Sequence, residues 1–216
     1  QTCALPIFFE LKKPLFNQTL IKMMKKIGKF FAALILASSL SSCGYNSMVE
    51  KDETVTEKFA QVENVYQRRS DLIPNLVNTV KGFAAQEKEV LTGVVEARAK
   101  ATGIAINADD LNEETINKFQ EAQKNLSGAL SRLMMTVERY PELKSNQNFL
   151  ELQAQLEGTE NRIAVERKKF NEAVQDYNTY IRKFPQNMIA GMFSFEKRAY
   201  FEADEKAKEV PTVSFD

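Results

Sequence analysis

The sequence predicts an all-α protein, a bundle of long helices, on three observations. From Val55 the residues Phe59, Val62, Tyr66, Arg69, Ile73, Leu76, Val80 and Phe83 recur in alternating steps of four and three. That is the seam of a helix packed along one stripe. Comparable seams recur further along the chain, at Phe119–Leu126–Leu133 and at Phe149–Leu156–Ile163–Phe170–Tyr177. The alternating polar and apolar pattern of a half-buried strand never runs for more than a few residues.

The elements follow in order. Residues 1–22 precede the first candidate start, Met23 or Met24, and Gln1-Thr2-Cys3-Ala4-Leu5-Pro6-Ile7 back-translates into the end of a common sequencing adapter. We read this segment as assembly read-through and give Cys3 no role. Lys25, Lys26 and Lys29 then form a charged n-region and Phe30 to Leu40 a short apolar h-region. Spanning a bilayer takes roughly 20 apolar residues, so residues 23–42 read as a secretory signal peptide. It ends Leu40-Ser41-Ser42-Cys43-Gly44, which resembles the bacterial lipobox. Cys43 is therefore the expected lipid attachment site and mature N-terminus. A non-acidic Gly44 favours the outer membrane, facing the periplasm, over the inner.

Composition narrows the chemistry. Residues 1–42 hold six of the 29 basic and one of the 29 acidic residues, leaving 23 against 28, a net charge near −5. Nucleic acid is not an expected partner, since that needs clustered positive charge. One cysteine remains and no histidine exists. An intramolecular disulfide is excluded in the mature chain, and the commonest general base and metal ligand is missing. No metal or cofactor is expected.

Residues 43–184 form the expected bundle. Asn46 or Ser47 can cap the first helix. Pro74 falls inside its seam; because the phase holds on both sides, a kink is predicted, with the Ser70 carbonyl deprived of its helical donor. The helix should end near Gly82-Phe83, although one unbroken helix to Ile104 also fits the pattern. A second helix covers about Gln86 to Thr102 and a loop 103–110. A third runs from Leu111 to Tyr140, before Pro141. A fourth spans about Ser145 to Phe184 and is closed by Pro185, whose predecessor resists helical backbone. Residues 185–216 carry dense apolar surface (Met188, Ile189, Met192, Phe193, Phe195, Tyr200, Phe201) and are read as a flap sealing the bundle end, the alternative being an exposed partner-binding patch. Glu209 to Phe215 should be extended.

Arg69, Glu160 and Arg167 occupy seam positions that ordinary packing would leave apolar, as does Glu87 if the seam continues. Buried charges must pair, because an uncompensated one costs several kcal/mol. Arg69 is expected to meet a carboxylate across the bundle, Glu160 or Glu138. Such a layer can fix helix register, or it can line a ligand-binding or hydrolytic site. No nucleophile-plus-base pair, metal-ligand cluster or phosphate-cradling glycine loop accompanies it.

Tyr45-Asn46, Arg68-Arg69-Ser70-Asp71-Leu72-Ile73-Pro74-Asn75-Leu76-Val77, Val80-Lys81-Gly82-Phe83-Ala84, Glu96-Ala97-Arg98-Ala99, Glu138 to Lys144, Glu160, Arg167, Tyr177-Asn178 and Phe184-Pro185 together resemble the LemA family, in order, across 45–215. The resemblance implies an antiparallel, up-and-down four-helix bundle attached to a membrane. The family commonly uses an N-terminal transmembrane helix where this chain has a lipobox, and often a histidine where this chain has Gln86. The combined expectation is a non-enzymatic scaffold or adaptor for envelope membrane partners. A ligand-binding or hydrolytic protein and a self-assembling structural lipoprotein stand as alternatives.

Overall fold

The computed structural model describes residues 13–107 and 110–202, with side chains for 22–29 and from 44 onward. Its helices are α1 (Lys13–Phe83), α2 (Lys88–Thr102), α3 (Glu113–Val137), α4 (Pro141–Lys144), α5 (Gln147–Arg182) and α6 (Gln186–Met192), with no strand among the described residues. The fold is a helical bundle. The chain divides into two compact units after Ser47. The described part of the first consists of α1 residues 13–47, and Asn46 and Ser47 lie inside that helix instead of capping one. The stretch before them lacks an interior proline and is rich in good helix formers, so nothing local stops the helix. The side chain of Cys43 lies outside the described residues, as does the expected extended tail at 209–215.

The second unit holds two core clusters. In one, Met48, Val55, Phe59, Val62 and Tyr66 of α1 meet Ile116 and Phe119 of early α3 and Phe170, Val174, Tyr177 and Ile181 of late α5. In the other, Ile73, Leu76 and Val80 meet Leu91 and Val94 of α2, Leu126, Leu130 and Leu133 of later α3, and Phe149 and Leu156 of early α5. Residue numbers thus rise together on α1 and α3 and fall on α5, so α5 runs antiparallel to both. Every position of the α1 seam from Val55 to Val80 is buried, while Phe83 is exposed.

α1 continues through Pro74. A proline removes the hydrogen bond to the carbonyl four residues back. Here the Ser70 carbonyl instead accepts from Arg98 Nε of α2 at 2.8 Å. The proline's missing donor is replaced from the neighbouring helix.

Between α1 and α2 the chain turns over residues 84–87, which rules out one unbroken helix to Ile104. Glu87 holds that turn to the far end of α3, accepting from the Tyr140 hydroxyl at 2.8 Å and Arg139 Nη2 at 3.0 Å. The third helix starts later than expected because Asn112 caps it, its side chain accepting from Thr115 N at 3.0 Å. The expected fourth helix is α5, which Asn146 caps by accepting from Phe149 N at 3.1 Å, and ahead of it Pro141 opens an additional single turn, α4.

After α6 the chain returns across the bundle as a strap, residues 195–202. Asn178 accepts from Arg198 N at 3.0 Å and donates to Arg198 O at 2.9 Å. Asn171 does the same for Phe201, at 2.9 Å each way, and Gln120 of α3 for Glu202. Asn171 and Asn178 are seven residues apart, roughly 10.5 Å along a helix. Residues 198 and 201 are three apart, about 10 Å in an extended chain. The amides therefore meet the strap backbone in register. Phe201 anchors it, packed among Phe59, Phe119 and Phe170. The flap expectation needs correction in part: Phe201 and Ala190 are buried, but Met188, Met192 and Phe193 are exposed.

Candidate functional site

Arg69 sits between the two core clusters, separating Tyr66 from Ile73 on the α1 seam, and only 1% of it is exposed. Its Nη1 donates to Glu160 Oε1 of α5 at 2.6 Å and to Ser127 Oγ of α3 at 2.9 Å. Its Nη2 donates to the Gln123 side-chain oxygen and, at 3.4 Å, to the Gln123 carbonyl. Its guanidinium also lies over the Tyr66 ring, 5.1 Å from the centroid. Three helices thus converge on one cation. Nε alone lacks a hydrogen-bond partner among the described residues. The planar fork suits this geometry, since several acceptors are met without bending the side chain.

The partners are not equally buried. The Glu160 side chain is 47% exposed. With Ser127 it opens onto a groove between α3 and α5 that also takes in Ser131, Met134 and Gln153. The pair is therefore a buried cation held by a half-solvated carboxylate.

Of the four residues proposed from sequence as one polar layer, the structure brings together Arg69 and Glu160. Glu138 is elsewhere. It follows the last residue of α3 and pairs with Lys144 on the exposed surface. Arg69 is level with Gln123, about fifteen residues and roughly 22 Å of helix away from Glu138. Arg167 meets the cluster through Tyr66: two turns beyond Glu160, it is carried about 10 Å along α5. There it donates to the Glu202 carbonyl at 2.6 Å, lies over the Phe201 ring at 5.0 Å and hydrogen-bonds the Tyr66 phenol, so it links the strap to the residue stacked under Arg69. The residues missed were Gln123 and Ser127. Gln123 follows Phe119 by four on the α3 seam, a polar residue in an apolar phase, and that was a readable signal.

Ser127 Oγ donates to the Gln123 carbonyl at 3.1 Å and accepts from Arg69, so no base holds its proton. Burial pushes the Tyr66 phenol up, against the pull of Arg167 and Arg69, which keeps it a neutral hydroxyl. Nearby Glu63 is also raised by burial. Among the described residues no group of acidic or cysteine side chains is arranged to hold a metal ion. No described helix is long and apolar enough to cross a membrane.

A second polar cluster ties Asp52 of α1 and the C-terminal part of α5 to the strap. Arg198 makes a two-pronged pair with Asp52, Nε to Oδ1 at 2.8 Å and Nη2 to Oδ2 at 2.9 Å. The Tyr177 hydroxyl donates to the Glu196 carbonyl at 2.9 Å, and its pKa is pushed up to about 12, chiefly by burial and then by the Asp52 charge.

Residues 58–215 match the family model described as the LemA family. Among curated proteins, the chain is 28% identical over 188 residues to Magnetosome protein MamQ 2 of Paramagnetospirillum magneticum, covering 79% of this chain and 68% of the relative. Magnetosome protein MamQ of Magnetospirillum gryphiswaldense is 29% identical over the same shares. Protein LemA of Metamycoplasma hominis is 20% identical over 160 residues, 74% of this chain and 69% of the relative.

Proposed function

The chain belongs to the LemA family, and from that premise we propose a lipid-anchored envelope protein that serves as a non-enzymatic scaffold for membrane partners. The observation that carries the anchoring is the ordered run of Lys25, Lys26 and Lys29, the apolar Phe30 to Leu40, and Leu40-Ser41-Ser42-Cys43. A lipid on Cys43 holds the second unit at the bilayer, with the outer membrane facing the periplasm favoured by Gly44. One acyl chain binds membranes marginally, whereas two or three hold firmly. The scaffold reading is supported by Arg69, whose guanidinium is engaged within the fold and joins three helices without presenting a charge to a substrate.

A second reading has one observation in its favour. Glu160 is half-exposed beside Ser127 on the α3–α5 groove, where a ligand can reach the carboxylate. In-cell photo-crosslinking with recovery of the adducts separates the readings. A scaffold gives discrete adducts with other membrane proteins that disappear in Cys43→Ser. Adducts with its own copies alone mean a self-assembling structural lipoprotein. A wild-type chain that forms no adduct refutes both and leaves the Glu160 groove as the site to pursue.

A further inference from the structure

The second unit begins at Met48, which is fully buried in the same core cluster as Ala190 of α6 and Ile181 of α5. The chain therefore enters this unit at the end where α6 sits. Ala190 is buried, and Ile189 packs partly buried against the same cluster. Met188 and Met192, one turn apart and so on one face of α6, are 66% and 77% exposed, and Phe184 just before the helix is 79% exposed. Large apolar side chains clustered at one end of a molecule mark a contact surface. The same stretch, 182–197, carries exposed Arg182, Lys183 and Lys197 against one acidic residue, Glu196. That is a positive segment on a chain whose mature form is net negative.

Resting on the lipid-anchored reading above, we propose that this α6 end is a second membrane contact: Phe184, Met188 and Met192 enter the interfacial zone of the bilayer while Arg182, Lys183 and Lys197 face anionic phospholipid headgroups. The length of chain argues for lipid as the occupant. Met48 is five residues on from Cys43, a reach of no more than about 17 Å even if fully extended. An acylated Cys43 thus keeps this end within about 17 Å of the bilayer surface. Apolar side chains backed by basic ones are what an interfacial segment uses to bind anionic lipid, and the two contributions add. The lipid on Cys43 and the α6 face together make two membrane signals, fixing how the bundle stands on the surface.

The sequence contains no tryptophan, so a single introduced indole reports its own surroundings. The full acylated protein is reconstituted into phosphatidylethanolamine–phosphatidylglycerol vesicles as Met188→Trp. A control, Met135→Trp, places the probe at a 65% exposed position of α3 beside the opposite core cluster. The expected result is a blue-shifted emission quenched by brominated lipid for Met188→Trp and neither effect for Met135→Trp. Adding Arg182→Glu and Lys183→Glu should weaken the quenching. Protein that floats with the vesicles but leaves Met188→Trp unquenched overturns the contact while leaving the anchor intact. A blue shift without lipid quenching, accompanied by a larger particle, assigns the face to a second copy and also overturns it. Protein that does not float at all overturns both the anchor and the contact built on it.

Discussion

Replacing Glu160 by Gln should destabilise the bundle more than replacing Arg69 by Met, although Arg69 is the larger and more buried side chain. Breaking a buried ion pair costs about 3–5 kcal/mol because it strands the remaining charge without compensation. The stranded partner decides the size. Arg69 is almost wholly enclosed, whereas the Glu160 side chain is half solvated. Losing Arg69 leaves a carboxylate that water can take up. Losing the Glu160 charge leaves a guanidinium with only Ser127 Oγ and Gln123 oxygens, all neutral. Those acceptors soften the loss, so Glu160→Gln is expected at about 2–4 kcal/mol, the low side of the buried-pair range. Arg69→Met fills most of the space with apolar atoms but leaves the buried Gln123 side-chain oxygen without that donor, and should cost about 1–2 kcal/mol. The double variant should resemble Arg69→Met, because no cation remains to be stranded. Urea titrations followed by far-ultraviolet circular dichroism measure all three, and melting temperatures should shift by roughly 2–4 °C per kcal/mol. An Arg69→Met loss exceeding that of Glu160→Gln refutes the reasoning. Removing Arg69 therefore strands a half-solvated carboxylate, not a buried one.

Further outcomes follow from the other contacts. Arg98→Ala should cost about 1–3 kcal/mol by leaving the Ser70 carbonyl unmatched. In a Pro74→Ala background, which restores the helical donor, the same substitution should cost markedly less in equal titrations. Phe201→Ala should lose about 3–5 kcal/mol from the aromatic cluster. Asn178→Ala should free the strap, read as faster amide exchange at residues 196–202. For Tyr177, the folded pKa of about 12 lies above its ordinary value of 10.0, so the folded state keeps a proton that the unfolded chain releases. Stability should therefore fall as pH rises from about 10 to 12. Tyr177→Phe should be less stable at neutral pH by about 1 kcal/mol for the lost hydrogen bond, but should lose less on alkaline titration.

The seam of α1 was legible because burying one stripe of a helix leaves an unmistakable period, and Arg69 stood out as a charge in phase with it. The antiparallel partner Glu160 was legible for the same reason. Glu138 was not excluded by sequence, since periodicity gives the face of a residue but not its height along a neighbouring helix. The strap was hidden for a different cause. Asn171, Asn178 and Gln120 recognise backbone atoms of residues 198, 201 and 202, which leaves no pattern in the strap's own side chains. The repeat of two asparagines seven apart, beside seam residues Phe170 and Tyr177, was the trace available. Asn112 and Asn146 were readable caps that would have placed two helix starts correctly.

The anchoring through Cys43 is tested most directly by mass spectrometry of the N-terminal peptide of the protein recovered from membranes. A peptide beginning at Cys43, with a diacylglyceryl group on its sulfur, is the result expected, and Cys43→Ser should leave residues 23–42 in place. A membrane-bound wild-type chain that retains residues 23–42 with an unmodified Cys43 would contradict it.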